Sequence, residues 1–76
     1  MSFKPITSRD TEFEVYEKLL ARFMVVHYPQ QYLVNAPGLI EVYEDHVAFG
    51  IYGYWGPMTL KKHRLREFHF ELQRNT

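Results

Sequence analysis

The stretch EFEVYEKLLARFMVVHY, residues 12–28, constrains the fold more than any other part of the chain. Phe13, Tyr16, Leu20, Phe23 and His27 recur at intervals of three and four, the spacing of one helical face; Val15, Leu19 and Val26 widen the stripe and Met24 sits beside it. Thr7, Ser8, Asp10 and Thr11 are all candidate N-caps. Thr11 with Glu14 three residues on has the capping-box pattern, in which two side chains satisfy each other's orphan backbone amides. A helix is therefore predicted over about 9–27, starting somewhere between residues 8 and 12. Pro29 stops it, because proline disfavours a helical residue ahead of it. Asp10, Glu12 and Glu14 suit the positive end of the helix dipole, and Glu14 precedes Lys18 in the favourable order. A face this broad and apolar has to be buried against a second layer.

The remaining chain reads mainly as strands. Residues 28–38, which contain PQQYLVNAPG, form a packed connector with room for one helical turn from Pro29. After Gly38 the period changes: LIEVY (39–43) and VAFGIYGYW (47–55) are β-rich and flank the polar break EDH, so residues 39–55 are predicted as an antiparallel hairpin. Alternation places Val47, Phe49, Ile51 and Trp55 on the core face of its second strand, and His46, Ala48, Gly50, Tyr52 and Tyr54 on the other.

Beyond the Gly56-Pro57 turn, Met58 to Leu60 is a short strand and Lys61 to Arg64 a basic turn. In LREFHFEL (65–72), Phe68, Phe70 and Leu72 alternate with Glu67, His69 and Glu71, which favours a C-terminal strand within about 57–73. Helix is the rival, since Leu65, Phe68 and Leu72 also fit helical spacing. The expected architecture is a single α+β domain over residues 1–76, one N-terminal amphipathic helix packed on an antiparallel sheet of three or four strands. One helix covers one sheet face. The other, with Ala48, Gly50, Tyr52 and Tyr54, is left to solvent, a second copy of the chain, or a partner.

Composition bounds the function. A chain of 76 residues hides only about 60% of its unfolded surface on folding, so a partner can supplement its stability. With 46% hydrophobic and 24% charged residues it is too apolar for intrinsic disorder. Cysteine is absent, which removes disulfides and thiolate zinc sites and makes an intracellular, cytoplasmic setting the default expectation. The N-terminus MSFKPITSRD has no apolar run fit for a signal sequence, and no stretch approaches the roughly 18 apolar residues of a membrane span. Net charge is zero, but residues 1–46 carry four basic and seven acidic side chains and residues 47–76 carry five and two. The chain is neutral yet polarised along its length, and folding decides whether that polarity survives.

No catalytic motif stands out. His27, His46, His63 and His69 invite a metal reading, and Glu67, His69 and Glu71 on one strand face would lie about 7 Å apart, but no HExxH or paired spacing accompanies them, so no metal or other cofactor is expected. His46, His63, Lys61, Lys62, Arg64 and Arg66 would suit a small ribonuclease, with nothing to fix their geometry. The GxSxG, GxxxxGK[ST] and GxGxxG patterns are absent, so the chain reads as non-enzymatic, with no small-molecule substrate.

Two binding readings remain. Tyr52 and Tyr54 on an open sheet face, followed by KKHRLR, could stack bases and hold phosphates of RNA or single-stranded DNA. Protein binding fits better: six Phe, six Tyr and one Trp exceed what one small core readily hides, and aromatic and arginine side chains are the usual interface anchors. The expected function is thus a protein-binding module or inhibitor, in the manner of a phage or mobile-element accessory factor acting on a host protein complex. Its partner is another protein or a second copy in a homodimer, and the predicted partner-binding residues are Tyr52, Tyr54, Trp55, Lys61, Lys62, Arg64 and Arg66.

Overall fold

The capping box forms as the sequence predicts. In the computed structural model, which describes residues 5–34, 36–50 and 57–74, Thr11 Oγ1 accepts from the Glu14 amide at 3.2 Å and the Glu14 carboxylate accepts from the Thr11 amide at 3.0 Å. Helix α1 follows as Glu12–His27. Ahead of it, the Asp10 carboxylate accepts from the Thr7 amide at 3.1 Å and from Lys18 Nζ at 2.8 Å, and Lys18 also donates to the Pro5 carbonyl at 3.0 Å. These residues make a folded-back cap, which is why the helix begins at the late end of its predicted window. The Tyr28 amide closes the last turn on the Met24 carbonyl at 2.7 Å, and Pro29 opens a short second helix, α2 (Pro29–Val34), inside the predicted connector.

Strand β1 (Gly38–Val42), strand β2 (His46–Gly50) and strand β3 (Met58–Lys61) form an antiparallel sheet in the order β1-β2-β3. Val42 opposes Val47, Val47 opposes Leu60 and Phe49 opposes Met58, so these side chains share one face. Tyr16, Leu19, Leu20, Phe23 and Met24 of α1 bury against Val47 and Phe49 in one cluster, with Ile40, Val42, Met58 and Leu60 packed at its margin. Phe13, Val26 and His27 at the two ends of the α1 stripe remain exposed, so the buried face is narrower than the sequence pattern.

The C-terminal segment corrects the sequence-based expectation. Residues 62–74 are not a strand but helix α3 (Lys62–Arg74). Leu65 and Phe68 are buried and Leu72 is partly so, whereas Phe70, which alternation would have turned inward, is 60% exposed. The segment is rich in Lys, Arg, Leu, Glu and Gln and has no Val, Ile, Thr, Gly or Pro, so its helix propensity is high throughout. Packing then selects the helical stripe: Phe68 meets Phe23 of α1 edge to face, with ring centroids 5.3 Å apart. The predicted basic turn is absent too, since Lys61 ends β3 and Lys62 begins α3 directly. The Lys62 amide, an orphan at the helix start, donates to the Asp45 carbonyl at 3.0 Å. The architecture is α+β, with α1 and α3 in contact on the inner face of a three-stranded antiparallel sheet.

Candidate functional site

Strand pairing gathers the opposite, outer face of the sheet from all three strands. Glu41 opposes Ala48, Ala48 opposes Thr59 and His46 opposes Lys61. Glu41, Thr59 and Lys61 are exposed there, and His46, Ala48 and Gly50 are partly so. At the hairpin end, the Tyr43 ring stacks on His46 at 4.8 Å, with the Tyr43 amide donating to the His46 carbonyl at 2.9 Å. The Tyr43 hydroxyl donates to the Glu41 carboxylate, which pushes the phenol above its usual range. His46 Nδ1 lies 2.6 Å from the Asp45 carboxylate, and this bond, aided by Lys61 at 3.6 Å, holds Asp45 below the ordinary carboxylate value.

The segment KKHRLR folds differently from an open phosphate-binding strip. Lys61 turns toward Asp45. Lys62 is 7% exposed: its ammonium donates to Glu12 at 2.7 Å and lies 5.1 Å from the centroid of the Tyr16 ring. As a partner-binding residue Lys62 is therefore out of reach, because its charge is used in joining α3 to α1. The Arg64 guanidinium sits 5.3 Å from the Phe23 ring, partly covered. Arg66 is exposed on α3, in a shallow surface shared with His63, Glu67, Phe70, Glu71 and Arg74, where the Arg74 guanidinium lies 5.8 Å from the Phe70 ring. Tyr52, Tyr54 and Trp55, like Ile51, lie outside the described residues.

Two ion pairs also answer the question of polarity. Lys61–Asp45 and Lys62–Glu12 each join a base of the second part of the chain to an acid of the first, so folding interleaves part of the sequence-level charge separation. On α3 His69 points away from Glu67 and Glu71, which stay together at a spacing of four, so the strand spacing that made the three of them candidate ligands is gone. Among the described residues no three His, Asp or Glu side chains are placed to hold a metal ion, and no helix is long and apolar enough to cross a membrane.

One residue stands out that the sequence did not mark. Leu39 is 91% exposed and has φ 52°, the only positive φ of a non-glycine residue among those described. It lies in a β-bulge: between the pairs Gly38–Gly50 and Glu41–Ala48, β1 carries two residues and β2 one. The left-handed conformation costs a branched residue roughly 1–2 kcal/mol, and the side chain recovers none of it by burial. Glycine or asparagine is usual at such a position, and leucine gives no sequence signal of it. Comparison with protein-family models, with curated proteins and with solved structures finds no match, so the residues of this chain alone carry the functional reading.

Proposed function

We propose that the protein is a small non-enzymatic protein-binding module or inhibitor. The divided use of the basic segment carries this reading: of the four cations in KKHRLR, Lys62 is buried on Glu12 and Arg64 lies over Phe23, while the exposed Lys61 pairs with Asp45 and Arg66, also exposed, lies beside Glu67 on α3. A nucleic-acid surface needs its cations outward and close together, because phosphate neutralisation supplies most of its affinity. Large apolar side chains stand exposed instead on several elements, Leu33 on α2, Leu39 on β1, Tyr43 at the hairpin and Phe70 on α3, and such side chains are the material of protein interfaces. On the sequence argument Tyr52, Tyr54 and Trp55 stay candidate contact residues, with Lys61, Arg64 and Arg66 as polar ones.

The test pairs two measurements on the full chain. Light scattering after size exclusion, with affinity capture from a lysate, should give a stoichiometric protein complex or a concentration-dependent dimer, and fluorescence anisotropy should show only weak binding of single-stranded RNA. A strict monomer that retains no protein, yet binds RNA with a steep salt dependence, overturns the reading in favour of nucleic acid. Replacing Tyr52 and Tyr54 by serine should remove the complex and leave the thermal transition in place. Loss of the transition would assign those two rings to the core.

A further inference from the structure

Two features of Leu39 are unfavourable for the isolated domain: a left-handed backbone conformation and a nearly naked apolar side chain. The bulge sets the conformation, yet nothing among the described residues covers the side chain, which stands 91% exposed. Strain of this kind persists where function uses it, and a large apolar side chain held away from its own core is the geometry of an interface anchor. The bulge also blunts β1 as a sheet edge, which disfavours simple strand addition and leaves side-chain insertion as the mode of contact.

The surroundings decide the sign of the partner. Glu41, Glu44 and Asp45 are exposed on the same hairpin, with Lys61 the cation facing them. An anionic membrane surface and a nucleic-acid backbone are both repelled by that arrangement. The exposed apolar residue on α3, Phe70, has Glu67 and Glu71 beside it as well as His63, Arg66 and Arg74, so this patch of a second copy, with its two carboxylates, is not the basic rim that the hairpin's acids would match. We propose that Leu39 is the apolar anchor of an interface on the β1–β2 hairpin, and that its occupant is a segment of another protein presenting an apolar pocket with a basic rim. This assignment rests on the protein-binding reading above.

The test selects binders from a displayed random-peptide library and measures them on the native chain and on Leu39→Gly, Leu39→Asn and Glu44→Lys. Selected peptides should combine apolar residues with Lys or Arg. Leu39→Gly and Leu39→Asn should each weaken them at least about tenfold while raising the melting midpoint by about 4 °C, because they relieve the backbone. Opposite signs for binding and stability separate loss of an anchor from loss of fold. Glu44→Lys should weaken binding less and flatten its salt dependence. Equal binding by native and Leu39→Asn overturns the anchor and leaves the protein-binding reading standing. Acidic selected peptides, an empty selection, a dimer or anionic-vesicle binding abolished by Leu39→Asn, or a lowered midpoint each overturn the proposal.

Discussion

The inner and outer faces of the same three strands obey different rules. On the inner side Val47, Phe49, Leu65 and Phe68 are buried together, and even a lysine is covered because Glu12 and the Tyr16 ring receive its ammonium. On the outer face Ala48, Gly50 and Thr59 are small, charges alternate in sign, and Leu39 holds an unfavourable conformation in solvent. The difference teaches where to look for each property. Stability resides where the costs are offset within the chain, and the proposed contact surface is placed where they are not.

That contrast can be broken most severely from the inner side. Leu65→Ala should cost about 2–5 kcal/mol, read as a lowered denaturant midpoint, because Leu65 is fully buried between elements far apart in sequence. An effect below about 1 kcal/mol would mean that α3 is not integral to the core. Lys62 sharpens the comparison. Lys62→Ala should cost about 1–2 kcal/mol through lost packing of its stem, whereas Lys62→Met, which keeps the volume, should stay within about 1 kcal/mol of native since the largely exposed Glu12 can rehydrate. Equal losses in the two variants would show that the ion pair and ring contact, not the stem, hold α3 to α1.

Smaller effects probe the helix start. Thr11→Ala removes the acceptor for the Glu14 amide and should cost about 1 kcal/mol. Acid should act at the same place. Asp10 is held below its ordinary 3.8 chiefly by Lys18, and Glu14 below its ordinary 4.5 chiefly by the Thr11 amide. Both pKa values are depressed by folding, so their stabilisation is present above those ordinary values and fades as pH falls through the folded ones. The gap in melting midpoint between native and Glu14→Gln should therefore be widest near neutrality and close in acid. The smallest effect is expected on the outer face, where Tyr43→Phe removes an exposed hydrogen bond to Glu41 and should barely move the midpoint.

What the sequence made legible was local. The α1 cap and stripe, the hairpin break and the short β3 each depend on residues within a few positions of one another, and they fold accordingly. The C-terminal segment was ambiguous because Phe68 and Leu72 fit both periods; only the contact of Phe68 with Phe23, across the chain, decides against Phe70. Lys62 looked like one cation of a surface run, since nothing near it reveals that Glu12 and Tyr16 will lie beside it. Leu39 was invisible for a different reason: its conformation is one that leucine disfavours, so propensity argues against what the pairing of β1 imposes.

The direct passage from Lys61 in β3 to Lys62 in α3 works like a rigid coupling between two shafts. With no loop to absorb a change in length, one residue inserted at this joint would turn α3 by about 100° about its own axis. Leu65 and Phe68 would swing away from the sheet and polar neighbours would take their place. Insertions there should be tolerated far less than insertions elsewhere on the surface, so the joint is a point where the length of the chain, more than the identity of any side chain, is under constraint.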